Sequence, residues 1–160
     1  MHQVGFYPPL IYLDYYYSYL RTPLRAKVIY KQKILLITPN LNGVSNGVNR
    51  IQPPLGLMLI ATSLEKAGHT VKIHDTALEG WNTRKEISSR GLIQIGQSDE
   101  EISNMIKDFN PSVLGISVLF SNLLDSAYNI FKLAKKVNSK IVTIIGGNHV
   151  SNAVKDYEYN

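Results

Sequence analysis

The sequence predicts an α/β protein built on a doubly wound parallel sheet of four to five strands. Two short apolar runs, residues 113–118 and 141–145, flank a segment whose apolar residues recur every three or four positions. Short, continuously apolar runs are typical of strands buried on both faces of a sheet. Apolar residues that recur every three or four positions, as they do in the segment between the two runs, are typical of an amphipathic helix. A strand, a helix and a second strand in this order form a βαβ unit, in which the strands are parallel and the crossover is right-handed.

The first half of the chain supplies two more strands and a helix. Lys33–Thr38 predicts the first central strand, and the long loop that follows it, residues 39–54, lies at the carboxyl end of that strand. A proline before it and a glycine after it bound a helix over residues 55–67, and residues 70–74 predict a lateral strand. The inward-facing residues of the helix are expected to be Leu55, Leu59, Ala61 or Thr62, and Leu64.

The middle of the chain is polar. Residues 77–97 contain three glycines, so we expect a loop with a short helix near residues 83–88. Ser98, followed three residues later by Glu101, is a capping box and predicts a helix over Asp99–Phe109. Its inward-facing residues are expected to be Ile102, Met105, Ile106 and Phe109.

The crossover helix between the two apolar runs is expected to be capped by Ser121 or Asn122. A last helix is expected to begin at Asn152, with Ser151 as its cap. The resulting order of elements is that of a flavodoxin-like (Rossmann-like) sheet. Only 13 residues follow Gly147, so we expect the domain to be incomplete at its C-terminal end, or its fifth strand to come from part of residues 1–32. The apolar face of the crossover helix comprises Leu123, Leu124, Ala127, Ile130, Phe131, Ala134 and Val137.

The positive charge of the chain is concentrated near its N-terminus. The net charge is +5, and residues 1–33 hold five basic residues and one acid. Seven of the ten tyrosines fall in residues 1–32, and Tyr12, Tyr15, Tyr16 and Tyr19 have helical spacing. We interpret residues 1–32 as a Tyr-rich basic extension of a domain over residues 33–160. Its aromatic face either packs on that domain or docks another domain or subunit.

Composition excludes several classes of function. The region after the extension has no basic helix or aromatic–basic stripe, which argues against a nucleic-acid partner. The chain has no cysteine, so it has no disulfide, thiolate metal site or thiol nucleophile. No apolar run approaches the roughly 20 residues of a membrane span, and no segment resembles a signal peptide. We therefore expect a soluble, cytoplasmic protein.

Residues at the ends of two neighbouring strands mark the candidate site. Ligands of an open parallel sheet bind beyond the carboxyl ends of its strands. Ser117 and Leu119 end one predicted strand, and Gly146 and Gly147 end the next. Ser117-x-Leu119, 26 residues and then Gly146-Gly147 resemble the Ser-x-Leu…Gly-Gly half of the cobalamin-binding fold of methionine synthase and the base-off mutases. The resemblance implies that the nucleotide tail of cobalamin, which ends in dimethylbenzimidazole, lies between these strands.

Further segments narrow this resemblance. Residues 33–40, 53–57, 64–71 and 146–151, together with Asp75, are similar, in order, to the N-terminal domain of cobalamin-dependent radical S-adenosylmethionine enzymes. The resemblance covers about residues 33–155. It implies that the chain binds cobalamin as the cofactor-carrying portion of a radical S-adenosylmethionine methyltransferase or cyclase. The cofactor-binding residues that it implies are Thr38, Pro39, Asn40, Leu55, Gly56, Asp75, Ser117, Leu119, Phe120, Asn122, Gly146, Gly147, Asn148 and His149.

Two absences refine what the resemblance implies. Methionine synthase places an Asp-x-His-x-x-Gly loop after its first strand, and that histidine binds cobalt. Residues 39–68 contain no histidine, and the narrower family also lacks the loop, so the resemblance implies base-off cobalamin without a protein imidazole on cobalt. The chain also lacks the Cys-x-x-x-Cys-x-x-Cys triad that holds an iron–sulfur cluster. S-adenosylmethionine and that cluster are therefore expected only in a partner radical S-adenosylmethionine domain, in cis or in trans. We assign no catalytic residue and no protein metal ligand to this chain.

Other readings stay open. The same fold could serve as a cofactor-free interaction module that acts through the Tyr-rich segment. A flavin or nucleotide could occupy the same crevice, although the sequence has no phosphate-binding loop. His74-Asp75 is expected to be a strand end at the surface and not a base with its orienting carboxylate, because adjacent strand residues point to opposite faces.

Overall fold

The computed structural model describes residues 30–88 and 91–152 of the chain. In chain order its elements are β1 (Lys33–Thr38), β2 (Leu41–Val44), α1 (Leu55–Lys66), β3 (Thr70–Asp75), α2 (Thr76–Glu79), β4 (Arg84–Ser88), β5 (Leu92–Ile95), α3 (Asp99–Phe109), β6 (Val113–Ser117), a 3-10 turn (Ser121–Leu123), α4 (Leu124–Val137), β7 (Val142–Gly146) and α5 (Asn148–Asn152).

The main sheet has four parallel strands in the order β3-β1-β6-β7. The predicted parallel α/β fold is therefore confirmed, and each of its four predicted strands is present. Side chains alternate between the two faces of the sheet. Leu35 and Ile37 of β1 pack with α3 and α4 in the larger core, whereas Ile34 and Leu36 pack with α1 on the other face.

The local signals for α3 are confirmed. Ser98 Oγ accepts a hydrogen bond from the Glu101 backbone N–H at 3.3 Å, and the Glu101 carboxylate accepts one from the Ser98 N–H at 2.7 Å. Ile102 and Ile106 are buried, with Met105 and Phe109 packed beside them. The helix ends at Asn110, which has a left-handed φ of 48°.

Three predictions about helices are wrong. Leu55 and Leu59 are 67% and 72% exposed, and Leu57 is buried in their place. The reason is that α1 is apolar around most of its circumference, so spacing alone does not single out one face. The predictions for Ala61, which is buried, and Leu64, which packs on the core, are confirmed. Neither Ser121 nor Asn122 caps α4, because both lie in a 3-10 turn that leads into the helix. The last described helix begins at Asn148, not at Asn152.

The two segments predicted as loops contain a second, antiparallel sheet in the order β2-β5-β4. Residues 84–88 form a strand of this sheet, so the helix predicted near them is wrong, and the short helix of this region is α2. The strands are four or five residues long, and most residues of β4 are exposed. They are stabilised by pairing between distant segments, such as Leu41 with Ile95, and local sequence does not report that pairing.

Some predictions lie outside the described residues. The tyrosines at positions 12, 15, 16 and 19 are among them, so the aromatic face of the N-terminal segment stays a prediction. Of the helices in residues 30–88 and 91–152, none combines the length and the apolar composition needed to cross a bilayer.

Candidate functional site

The four strands of the main sheet end side by side. Thr38 is paired with Asp75, and Ser117 with Gly146. The residues before Thr38 and Ser117, Ile37 and Ile116, are paired with each other. Asp75, Thr38, Ser117 and Gly146 therefore form one row across the carboxyl edge of the sheet, on the face that carries α1.

An apolar cavity of about 450 Å³ begins at this row and runs between α1 and strands β6 and β7. We call it the glycine cavity, because bare backbone forms several of its walls. A Cβ added to Gly56 or to Gly146 would meet no other atom within 4 Å, so both glycines face open space. The remaining lining residues are Ile34, Leu36, Leu57, Ile60, Leu64, Val113, Gly115, Ile116, Ser117, Leu119, Ile144 and Gly147.

Gly147 has a different role from its neighbour. Its φ is +112°, and a Cβ there would lie 2.5 Å from the carbonyl oxygen of Val118 and 2.8 Å from its nitrogen. The backbones meet here, because the Val118 N–H donates to the Gly146 carbonyl at 2.7 Å and the His149 N–H donates to the Val118 carbonyl at 3.2 Å. Gly147 therefore allows the start of α5 to lie against the end of β6.

A second cavity of about 220 Å³ adjoins the first, sharing Ser117 and Leu119 with it. We call it the edge cavity. Thr38, Pro39 and Phe120 line it, together with Asp75 and Arg50. The Asp75 carboxylate caps α2 by accepting hydrogen bonds from the backbone N–H groups of Ala77 and Leu78, each at 3.1 Å. The hydroxyl of Thr38 is buried and has no hydrogen-bond partner within the described part of the chain.

Two histidines near this edge are held by polar neighbours. His149 Nδ1 lies 3.2 Å from Ser121 Oγ, and His149 lines a further cavity with Phe120, Asn122 and Asn148. His74 is only 8% exposed, and its Nε2 lies 2.6 Å from Gln97 Oε1. The prediction that His74 lies at the surface is wrong, since the connection between β5 and α3 covers it. The Asp75 carboxylate accepts hydrogen bonds from the first turn of α2 and not from His74. This agrees with the prediction that His74 and Asp75 are not a catalytic base and its orienting carboxylate.

Twelve of the fourteen residues predicted to bind a cofactor line these three cavities. The other two, Asn40 and Leu55, do not. Asn40 is 7% exposed, and its Nδ2 donates to the Gln97 carbonyl at 2.8 Å, while Leu55 is largely exposed. Sequence reasoning missed Gly115 and Arg50. A glycine in the middle of an apolar strand is a signal of close backbone approach, so Gly115 could have been found, whereas nothing local distinguishes Arg50.

Residues 30–88 and 91–152 contain no group of three or more histidine or acidic side chains that could hold a metal ion. The site therefore offers apolar walls, bare backbone and a few polar groups at its rim. Such a combination suits a flat, largely apolar organic group with polar substituents.

Comparison with known proteins agrees with this chemistry. The family model described as B12 binding domain matches residues 43–159. Cytidylyl-2-hydroxyethylphosphonate methyltransferase of Streptomyces wedmorensis is 40% identical over 119 residues, which are 74% of this chain and 22% of that protein. The uncharacterized methyltransferase PH0819 of Pyrococcus horikoshii is 30% identical over 118 residues, again 74% of this chain and 22% of that protein. The chain thus spans about a fifth of the length of the curated relatives it matches.

Proposed function

Because the chain belongs to the family of B12-binding domains, we propose that it binds cobalamin as the cofactor-carrying portion of a methyltransferase. The observation that carries the proposal is the glycine cavity, which opens between the Ser117-x-Leu119 segment and the Gly146-Gly147 pair. The nucleotide tail would lie in this cavity, and the corrin ring would lie at the edge cavity beside it.

The residues present fit the nucleotide tail. Benzimidazole is flat and apolar, and the glycine cavity has a volume of about 450 Å³ with aliphatic walls. Gly56 on one side and Gly146 on the other leave open the space that side chains would fill. Ser117 places a hydroxyl at the mouth, where it can bond the polar part of the tail. At the edge cavity, the Thr38 hydroxyl, which has no hydrogen-bond partner among the described residues, is a candidate to bond the amide substituents of the corrin.

We further propose that cobalamin is held base-off and without a protein imidazole on cobalt. No histidine lines the edge cavity or the glycine cavity in the part of the chain that the structure describes. His74 is held by Gln97, and the backbone N–H of Gln32 donates to His69 Nδ1. When bound, cobalamin supplies a cobalt centre that carries methyl groups; this chain's residues supply placement and exclude water.

The rest of the enzyme is also a proposal. Both relatives are named methyltransferases, which favours a methyltransferase over a cyclase. We propose a radical S-adenosylmethionine domain as partner, in cis or in trans, because the chain has no cysteine for the iron–sulfur cluster. The Streptomyces relative is named for a phosphonate that it methylates. We therefore propose that the methyl acceptor of the enzyme that contains this chain is anionic.

Gel filtration after mixing with hydroxocobalamin tests the proposal. The protein peak should carry the cobalamin absorption spectrum, and dicyanocobinamide, which lacks the nucleotide tail, should be retained less. Protein that elutes free of hydroxocobalamin would refute cobalamin binding and return the alternative of a cofactor-free interaction module.

The variant Gly56→Leu tests the position of the tail. Its side chain would enter the glycine cavity, while leucine is a better helix former than glycine by up to about 1 kcal/mol. Retention of hydroxocobalamin should therefore fall without a loss of stability. Glu65→Leu is the matched control, since Glu65 lies on the exposed side of the same helix and outside the cavity. Equal retention by Gly56→Leu and Glu65→Leu would place the tail elsewhere.

A further inference from the structure

A fourth cavity lies against the antiparallel sheet and continues the site away from the glycine cavity. Its volume is about 480 Å³, and we call it the small-sheet cavity. It shares Leu41 and Arg50 with the edge cavity. The remaining lining residues are Asn42, Gly43, Val44, Val48, Asn49, Ile87, Leu92 and Asn122.

Arg50 is the charged side chain of this lining. A guanidinium keeps its charge at all physiological pH values and presents several N–H donors in a planar fork. Within residues 30–88 and 91–152, Arg50 has no ion pair or hydrogen bond through its side chain. Asp75 is the acidic side chain that lines the edge cavity with Arg50, but its carboxylate caps α2 and forms no ion pair with Arg50. Arg50 is therefore a cation at the junction of two cavities that no ion pair neutralises within the described part of the chain.

Asn122 supplies a second donor from the opposite element. Arg50 belongs to the connection between β2 and α1, whereas Asn122 belongs to the 3-10 turn after β6. The backbone carbonyl of Asn122 accepts a hydrogen bond from Asn42 Nδ2, which holds the turn against β2. Asn122 is exposed and lines both the small-sheet cavity and the cavity at His149, and its side chain carries an amide that can donate hydrogen bonds.

The walls of this cavity are fixed to the main sheet. Gln94 of β5 donates to the buried hydroxyl of Ser126 in α4 at 3.0 Å. At the other end of the small sheet, Gln97 is held by Asn40 and by His74. Satisfied buried polar contacts of this kind specify one arrangement. The small-sheet cavity is therefore a preorganised wall of the site, which lowers the cost of ligand binding.

We propose that Arg50, with the Asn122 amide, binds a phosphate- or phosphonate-type anion in the small-sheet cavity. Guanidinium groups recognise such anions through paired, charge-assisted hydrogen bonds. The role given to the site rests on the proposed function. The anion belongs either to the methyl acceptor or to the phosphodiester of cobalamin itself, and the two sources share this chemistry.

The test is a titration of the ¹⁵N-labelled full chain with ethylphosphonate, followed by the arginine Nε–Hε signals in NMR spectra. The signal that disappears in Arg50→Gln identifies Arg50. In the wild type this signal should shift in a saturable way, and binding should weaken as salt rises. Because both Arg50 variants lack this signal, their binding is compared with that of the wild type through the backbone amide signals in the same titration. Arg50→Gln should weaken binding by about tenfold or more, and Arg50→Lys should fall between. The neutral diethyl ester of ethylphosphonate should cause no shift.

Arg84→Gln is the matched control. Arg84 lies on β4 of the same small sheet, exposed, with its guanidinium 5.8 Å from the ring centre of Trp81, and it does not line the cavity. This variant removes the same charge and should bind ethylphosphonate like the wild type. An equal loss in both arginine variants would indicate a diffuse effect of net charge and would overturn the site.

Retention of hydroxocobalamin and dicyanocobinamide is measured on the same variants. It distinguishes the two sources of the anion and separates a failure of this anion site from a failure of the proposed function. If Arg50→Gln weakens ethylphosphonate binding alone, the anion belongs to the acceptor. If ethylphosphonate does not bind and Arg50→Gln weakens cobalamin but not cobinamide, the anion is the cofactor's phosphodiester. The site is overturned if ethylphosphonate does not bind and Arg50→Gln leaves cobalamin retention unchanged. A wild type that binds ethylphosphonate but not cobalamin refutes the proposed function and supports this site.

Discussion

The adjacent glycines at the end of β7 should respond in opposite ways to the same substitution. In Gly146→Ala the new methyl group meets no other atom within 4 Å and projects into the glycine cavity. In Gly147→Ala it meets the backbone of Val118, at 2.5 Å from the oxygen and 2.8 Å from the nitrogen. The Val118 backbone is held by hydrogen bonds to Gly146 and His149, so it cannot move aside as the end of a flexible side chain can.

The magnitudes follow from these contacts. A side chain at a φ of +112° costs about 1–3 kcal/mol in backbone strain, and the overlap with Val118 adds about 1–3 kcal/mol of overpacking. Gly147→Ala should therefore lower the free energy of unfolding by about 2–6 kcal/mol. Gly146→Ala should change it by no more than about 0.5 kcal/mol, as is usual where nothing is displaced. Its retention of hydroxocobalamin should nevertheless fall, since the methyl group occupies the space proposed for the nucleotide tail.

Urea unfolding without cofactor, followed by far-ultraviolet circular dichroism, measures the first quantity by linear extrapolation. Gel filtration with hydroxocobalamin measures the second. The reasoning fails if Gly147→Ala is as stable as the wild type, or if Gly146→Ala loses as much stability as Gly147→Ala.

Three further substitutions test the packing around the site, each measured by urea unfolding. Gln97→Ala should lower the free energy of unfolding by about 1–3 kcal/mol, because the buried Nε2 of His74 loses its partner. Gln97→Glu keeps an acceptor and should lower it less. A larger loss in Gln97→Glu than in Gln97→Ala would contradict this reasoning. Ser98→Ala should cost about 1 kcal/mol at pH 7 by removing the N-cap of α3. The Ser98 backbone N–H, and then its hydroxyl, lower the pKa of Glu101 below 4.5. This stabilisation is present above the unfolded-state pKa and is lost as pH falls through the lowered one. Ser98→Ala keeps the backbone N–H and removes only the share of the hydroxyl, so part of its cost should disappear towards pH 3; a cost that grows as pH falls would contradict this. Ile116→Ala should cost about 2–5 kcal/mol, since Ile116 is 2% exposed, and a cost below 1 kcal/mol would show that the core collapses around the gap.

The main sheet could be predicted from the sequence because its signals are local. Three of its strands are short apolar runs, the lateral β3 is amphipathic, and the capping box at Ser98 fixes the start of α3 within a few residues. The row at the carboxyl edge follows, since parallel strands that begin together also end together. Twelve of the fourteen predicted site residues therefore line neighbouring cavities.

The rest depends on contacts between distant segments. The strands of the small sheet are short, and β4 is largely polar, so neither periodicity nor propensity marks them. Without that sheet, His74 reads as a surface residue, and Asn40 reads as a loop residue at the ligand edge. In the structure both side chains bond to Gln97, which follows the small sheet. Arg50 could not be identified for the same reason, because its cavity exists only once β2 and β5 are paired.

The half of the main sheet formed by β6 and β7, which helices of the described part of the chain cover fully on one face only, also carries glycines. A parallel sheet normally has both faces covered. The α3 and α4 helices cover one face, whereas α1 packs over β1 and β3 on the other, and Ile144 of β7 is 56% exposed in the described part of the chain. Gly115 and Gly146 lie on that same half. Exposed aliphatic side chains beside bare backbone would weaken a core that had to be completed by this segment alone. They suit a surface completed by a flat apolar group, because such a group buries the aliphatic side chains and needs the room that Gly146 leaves.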